Sequence, residues 1–124
     1  MAKRIDFLVD TNFVIYYLRG DHIVLGYELY TLAVSVITEL ELLVKPDLSV
    51  NAEAAIHQFL GAGPILSLTP SVRSKAIEVA RRHRLKLPDA IIAATALDAG
   101  LPLVTADRHF SKVEGLNLLL LELE

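Results

Sequence analysis

Short apolar runs alternate along the chain with longer segments whose apolar residues recur at helical spacing. Runs of roughly four to eight apolar residues bounded by turn residues predict strands, and a repeat near 3.6 residues predicts helices. The predicted strands are residues 5–9, 33–36, 64–68, 101–104 and 116–121, and the predicted helices are residues 13–18, 21–30, 37–44, 52–60, 70–83 and 88–99. This alternation favours a parallel sheet with helices on both faces. We therefore predict a single domain over residues 1–124, with a three-layer α/β/α fold and a mainly parallel sheet of about five strands.

The predicted helix over residues 88–99 has the clearest boundaries. Pro88 suits a first helical turn, and Gly100 suits a left-handed exit. Every face of this helix is apolar, so we expect it to be buried. Asp89 lies in its first turn, where the helix dipole by itself stabilises a carboxylate, and that is the commoner explanation of a lone Asp. A buried helix does not need an acid, however, so Asp89 is also a candidate site residue.

Three further acids follow predicted strands. Asp10 and Asp107 come at strand ends, and Glu41 lies in the first turns of the helix after a strand. The carboxyl ends of parallel strands meet at one edge of the sheet, where ligands bind. Two of these acids have a plainer interpretation: Asp10 is a candidate helix cap, and Glu41 is a candidate surface partner of Lys45. Four grouped carboxylates would repel one another, so their grouping favours a bound hard cation.

The chemistry of such a site follows from its ligand types. The chain contains no cysteine. Carboxylate oxygens without thiolates or clustered histidines favour Mg²⁺ or Mn²⁺ over Zn²⁺. These ions activate water and neutralise charge on a phosphoryl group, which indicates phosphodiester hydrolysis.

Composition limits the partners and the setting. The net charge of −3 argues against wrapping nucleic acid by bulk electrostatics but allows a metal-assisted nuclease. The hydrophobic content of 53% favours a partner that covers apolar surface. Because no apolar run is long enough to span a bilayer and no signal-like segment opens the chain, we expect a cytoplasmic protein that does not bind membranes.

A basic group lies near the end of the helix over residues 70–83. One interpretation is a solvated helix terminus, where cations are favoured. The other is a rim that contacts RNA phosphates. Its members are Arg81, Arg82, Arg84 and Lys86, with His83 among them.

Four segments resemble the four motifs of PIN-domain ribonucleases, and most of all those of VapC-type toxins from prokaryotic toxin–antitoxin pairs. They occur in the family's order and span nearly the whole chain. The segments are Leu-Val-Asp-Thr-Asn at 8–12, Val-Ser-Val-Ile-Thr-Glu-Leu-Glu-Leu-Leu at 34–43, Leu-Pro-Asp-Ala-Ile-Ile-Ala-Ala-Thr-Ala at 87–96 and Leu-Val-Thr-Ala-Asp-Arg-His-Phe at 103–110. The third segment is the most specific of the four.

This resemblance implies a metal-dependent endoribonuclease. It assigns Asp10, Glu41, Asp89 and Asp107 to an acid quartet around Mg²⁺ or Mn²⁺, and Asn12 and Thr105 to hydrogen bonds around the acids. It also implies a homodimer, an RNA substrate and a cognate antitoxin whose segment lies across an apolar groove.

The second motif contains two candidate glutamates. Glu39 and Glu41 are two residues apart, and because a helix turns about 100° per residue they cannot share a face. Thr38 and Glu41 are neighbours at i and i+3, which favours Glu41, as does the family's spacing. We expect Leu40, Leu43 and Val44 to face inward from the same helix.

Two other classes of function compete with this hypothesis. A phosphoryl-accepting regulatory domain needs a lysine at the end of its last strand, and none is so placed. A catalytically inactive PIN-like module that only binds RNA or a protein is the stronger rival. The intact quartet argues against it.

Overall fold

The computed structural model describes residues 4–122, whose five strands form one parallel sheet. The strand order is β3-β2-β1-β4-β5, and every neighbouring pair is parallel. The strands are β1 (Phe7–Val9), β2 (Leu32–Ser35), β3 (Ile65–Leu66), β4 (Leu103–Thr105) and β5 (Leu118–Leu120). The predicted three-layer α/β/α fold is confirmed, because helices cover both faces of this sheet.

Within residues 4–122, five α-helices and three short 3₁₀ helices connect the strands. The α-helices are α1 (Thr11–Leu18), α2 (Val36–Leu43), α3 (Val50–Gly61), α4 (Pro70–His83) and α5 (Leu87–Ala99). The 3₁₀ helices are His22–Val24, Tyr27–Leu29 and Arg108–Lys112. Among residues 4–122, no helix combines the length and the apolar character required to cross a membrane.

The strands send alternate side chains to opposite faces, as the two-residue period of a strand requires. Leu8 and Leu103 pack with residues of α4 and α5, whereas Val9 and Val104 pack with α1 and α3. Helix α5 is buried from Ala90 to Ala96, as its apolar faces predicted. Asp89 lies directly before this buried stretch, in the first turn of the helix.

The predicted helix over residues 21–30 is wrong. Asp21 does accept the N–H of Ile23 as a cap, but the helix stops after one 3₁₀ turn. Gly26 has a φ of +94°, a left-handed conformation that interrupts a right-handed helix. A second 3₁₀ turn then follows.

The predicted inward face of α2 is also wrong in part. Leu40 and Val44 are 56% and 76% exposed, whereas Thr38 and Leu42 are buried. Thr38 and Leu42 are four residues apart and share a face, and Leu40 is about 200° from Thr38 around the helix. Because α2 carries apolar residues on every side, the apolar pattern alone does not identify the side that packs against the core.

Gly63 lies where the chain passes from α3 into β3. A Cβ atom at this position would lie 2.0 Å from the carbonyl oxygen of Leu32, the first residue of β2. The backbone at Gly63 and the start of β2 can approach this closely only because the side chain is absent.

Candidate active site

The four predicted acids lie at the carboxyl edge of the sheet. Asp10 follows β1 directly, and Asp107 lies two residues after β4. Glu41 is carried by α2, which follows β2, and Asp89 is in the first turn of α5. Strand β1 lies between β2 and β4. The strands after β1 are added on one side of it up to β3, and β4 and β5 are then added on its other side. This is the switch point where open α/β sheets bind ligands.

Asp10 is the most buried of these acids, at 4% exposure. Burial is the main cause that raises the pKa of Asp10, and the negative charges of Asp107 and Asp89 raise it further. Hydrogen bonds from Thr105 and from the N–H of Phe13 oppose the rise. The net direction is upward, so the ionised form of Asp10 is disfavoured without a compensating cation.

Asp89 is half-buried and is influenced by charges from several elements. Burial raises its pKa, followed by the charges of Asp107 and Glu41, while Lys86 and His109 act in the opposite direction. Together with the effects on Asp10, these interactions connect all four carboxylates. The fold therefore brings the four acids close enough for their charges to interact.

Thr105 links two of the acids through one hydroxyl group. It donates to Asp10 Oδ2 at 2.5 Å and accepts the backbone N–H of Asp107 at 3.0 Å. The other carboxylate oxygen of Asp10 accepts the N–H of Phe13 at 2.9 Å. The predicted cap role of Asp10 is therefore confirmed, and the same side chain also faces the acidic edge.

Glu41 is held by a residue that the sequence did not single out. The hydroxyl of Thr11 donates to Glu41 Oε1 at 2.7 Å and lies 3.0 Å from the hydroxyl of Thr38. In the part of the chain that the structure describes, no ion pair joins Glu41 to Lys45. Only the position of Thr11 directly after Asp10 could have indicated its role.

His109 is the second neighbour that sequence reasoning did not single out. Its backbone N–H donates to Asp107 Oδ1 at 2.9 Å, and its ring Nδ1 lies 2.7 Å from the same oxygen. The imidazole is 77% exposed. Its place two residues after a strand-end acid, within the fourth motif, was the available signal.

Within residues 4–122, the remaining predicted residues form no side-chain hydrogen bond with the acids. Asn12 is exposed, and its side chain forms no hydrogen bond within residues 4–122. In the predicted basic rim, the charge of Lys86 lowers the pKa of Asp89. A guanidinium nitrogen of Arg82 lies 3.7 Å from a carboxylate oxygen of Glu78 and 3.9 Å from one of Glu114. Arg81 and Arg84 are also exposed. Lys86 is thus the rim residue whose charge reaches an acid of the site.

A hard cation fits the chemical character of the site. The donors are carboxylate oxygens, and burial together with the charges of the neighbouring acids raises the pKa of Asp10 and of Asp89. A bound cation would favour the ionised form of both. Within the described residues, however, no group of three or more His, Cys, Asp or Glu side chains is gathered closely enough to hold a metal ion. Binding an ion at this edge therefore requires the carboxylates to turn toward one another.

A family comparison identifies this arrangement of strands and acids. The model of the PIN domain matches residues 7–116, which include all four acids. The chain belongs to the PIN domain family. None of the curated protein sequences gives a significant match.

Solved structures similar to this PIN domain include toxin–antitoxin complexes. A toxin–antitoxin complex from Klebsiella pneumoniae is 26% identical with a TM-score of 0.80, over 92% of this chain and 96% of the other. DNA-bound VapBC from Salmonella typhimurium is 25% identical with a TM-score of 0.80, over 94% and 98%. VapBC2 from Rickettsia felis, bound to a promoter DNA fragment, shares the fold at 20% identity and a TM-score of 0.82, over 95% and 100%. The resemblance to VapC-type PIN domains that the motifs indicated is confirmed.

Proposed function

We propose that this PIN domain is a metal-dependent endoribonuclease, the toxin of a type II toxin–antitoxin pair, which hydrolyses phosphodiester bonds in RNA. The observation that carries the proposal is the meeting of four acids, one from each motif, at the carboxyl edge of the sheet. The family match and the structural similarity to toxin–antitoxin complexes support a nuclease role as a toxin.

In this proposal Asp10, Glu41, Asp89 and Asp107 hold Mg²⁺ or Mn²⁺. The bound ion would supply an activated water and neutralise charge on the phosphoryl group. Thr105 fixes Asp10 relative to Asp107 through its two hydrogen bonds. The buried helix α5 carries Asp89 in its first turn. The chain thus supplies four carboxylates at one edge of the sheet that turn toward the bound cation, and the cation relieves their repulsion.

RNA binding would depend on local cations, because the net charge of the chain is −3. Lys86 and His109 are exposed, and their charges lower the pKa of Asp89 at the acidic edge. They are therefore placed to contact a phosphate beside the reacting one. The predicted rim residues Arg81, Arg82 and Arg84 would contact phosphates farther along the strand. Arg82 would first have to leave its two acidic neighbours.

The proposed protein partners are a cognate antitoxin and a second copy of this chain. Several large apolar side chains are exposed within residues 4–122 and could be covered by them: Leu25, Leu29, Leu40, Val44 and Val50. A groove of about 340 Å³ is lined mainly by apolar and aromatic residues, Tyr17, Leu32 and Phe59 among them, together with Glu28 and Gln58. The proposed setting is cytoplasmic.

The deciding experiment is RNA cleavage by protein freed of any partner. Labelled RNA should be cut internally with Mg²⁺ or Mn²⁺, and EDTA should stop the reaction. Asp10→Asn should remove the activity and keep the fold, because Asn caps a helix as well as Asp does. Asp98→Asn is the matched control, since Asp98 lies at the opposite end of α5 from Asp89 and pairs with Lys75.

Two results would contradict the proposal. One is cleavage that continues in EDTA or in the Asp10→Asn variant. The other is RNA binding without cleavage under any metal condition, which would favour the catalytically inactive binding module.

A further inference from the structure

Two threonine hydroxyls connect helix α1 to the carboxylate of Glu41 on helix α2. Thr11 is the first residue of α1, and Thr38 lies one turn before Glu41 on α2. The hydroxyl of Thr11 lies 2.7 Å from Glu41 Oε1 and 3.0 Å from the hydroxyl of Thr38. The three side chains therefore form a continuous line of hydrogen bonds between two helices.

The direction of these hydrogen bonds follows from their chemistry. A threonine hydroxyl has one hydrogen, and a carboxylate can only accept. Thr11 gives its hydrogen to Glu41, so the hydrogen between the two threonines comes from Thr38. Thr38 is fully buried, and no water competes for its hydroxyl. Thr38 thus donates to Thr11, and Thr11 donates to Glu41.

We propose that Thr11 and Thr38 are positioning residues that hold the Glu41 carboxylate at the acidic edge of the sheet. This inference rests on the proposed function, in which Glu41 binds the metal ion. A glutamate side chain loses considerable rotational freedom when it is fixed, and the hydrogen bonds offset that loss before the ion arrives. Residues that orient metal-binding side chains typically change metal affinity about 10- to 100-fold when they are removed.

The arrangement also couples two acids of the site. Thr11 follows Asp10 directly, and the N-terminus of α1 is capped by Asp10 itself. One short backbone segment therefore fixes Asp10 through the cap and Glu41 through the Thr11 hydroxyl. Glu39 has no such partner among the described residues.

The test separates a hydroxyl effect from a packing effect. Thr11→Val removes the hydroxyl and keeps the branched shape, whereas Thr11→Ser keeps the hydroxyl. Thr38→Val removes the first donor of the line and is the second variant. Thr95→Val is the matched control, because Thr95 is also buried but donates to the carbonyl of Ile91 within α5.

The readout is Mn²⁺ affinity measured by titration calorimetry, with melting in EDTA as the check on folding. Thr11→Val should weaken Mn²⁺ binding about 10-fold, and Thr38→Val should weaken it less, since Thr11 can still donate. Thr11→Ser and Thr95→Val should stay within about 2-fold of the parent protein. A Thr11→Val variant that folds and binds Mn²⁺ as the parent does would overturn the inference.

A double-mutant cycle with Glu41→Gln shows whether Thr11 acts through Glu41. If it does, Thr11→Val should cause no further loss of Mn²⁺ affinity in the Glu41→Gln protein. An equal loss in both backgrounds would overturn the positioning role. Unchanged affinity in Glu41→Gln alone would refute the ligand set of the proposed function, and the role of the threonines with it. A loss in Glu41→Gln without a loss in Thr11→Val would refute the threonines alone.

Discussion

Two aspartates on α5 have opposite electrostatic surroundings. At the start of the helix, burial and the charge of Asp107 raise the pKa of Asp89 above its ordinary value of 3.8. At the other end, hydrogen bonds from Lys75 and Ser71 lower the pKa of Asp98 below 3.8. The two residues should therefore affect stability in opposite directions as pH changes.

Asp89→Asn should raise the melting temperature of the metal-free protein at pH 7. Between 3.8 and the raised pKa of Asp89, the folded protein holds more protons than the unfolded chain. Its stability therefore falls as pH rises through this window, and the penalty is fully present above the raised pKa. The advantage of the variant should shrink as pH falls toward 3.8, which melting in EDTA across a pH series would show.

Asp98→Asn should change the melting temperature in the opposite direction in the same pH series. The lowered pKa of Asp98 contributes stability above 3.8, and this contribution is lost on acidification. The variant should melt below the parent protein at pH 7 and approach it at low pH. If both variants shift the melting temperature the same way at pH 7, the charges of the acidic edge do not interact as described.

The two glutamates of α2 should differ sharply in function. Glu41→Gln should lose most RNA cleavage and Mn²⁺ affinity. The charge of Glu41 raises the pKa of Asp89, and its carboxylate accepts a hydrogen bond from Thr11, so Glu41 belongs to the acidic edge. Glu39→Gln should change both by little, as expected of a residue outside the network. Parallel kinetics and metal titrations compare them, and an inactive Glu39→Gln beside an active Glu41→Gln would reverse the assignment.

The acids could be located from the sequence because strand ends and helix starts are local features. Asp10 and Asp107 follow apolar runs, and Asp89 follows a proline. The contact between Thr11 and Glu41 could not be found in this way, since it joins residues 30 positions apart and depends on how α1 packs beside α2. The roles of the acids as metal ligands stay a prediction.

The helices with strong terminal signals were the most predictable elements. Thr69 caps α4 by accepting the N–H of Val72, and Pro70 follows it. Gly100 ends α5 with a φ of +66°. The prediction of a helix over residues 21–30 failed where these signals were mixed, at Gly26. The prediction of the inward face of α2 failed because this helix carries apolar residues on every side. In both places tertiary packing decides which structure forms.

Gly63 offers a test of how β3 is held beside β2. Gly63→Ala should lower the free energy of unfolding by about 1–3 kcal/mol, because overpacking forces the backbone to shift. The clash would be with the carbonyl of Leu32, which belongs to the sheet. Urea denaturation followed by circular dichroism measures the change.

Gly61→Ala is the matched control for this substitution. Gly61 lies two residues earlier, at the end of α3, and apart from its chain neighbours and the backbone of its own helix no atom lies within 4 Å of a Cβ built there. Alanine is the better helix former, so this variant should be as stable as the parent or more stable by up to about 1 kcal/mol. Equal destabilisation by both variants would mean that the close approach at Gly63 is not the cause.

For the whole molecule, metal binding and folding should be linked. An ion that binds only the folded protein adds about 2.7 kcal/mol at a hundredfold excess over its Kd. Millimolar Mn²⁺ should therefore raise the melting temperature of the parent protein, and Asp89→Asn should reduce this rise. A melting temperature that does not respond to Mn²⁺ would count against an ion site at the acidic edge.

The pairing of β1 with β4 has a consequence for the timing of synthesis. Leu8 pairs with Leu103, so the centre of the sheet closes only after residue 103 has been synthesised. Parallel pairing across such a separation is slow to form, and synthesis proceeds from the amino end. A chain that stops before Leu103 contains Asp10, Glu41 and Asp89 but has no β4 to lie beside β1. Unfinished chains therefore lack the assembled acidic edge, and any activity that depends on this edge begins only when translation of β4 is complete.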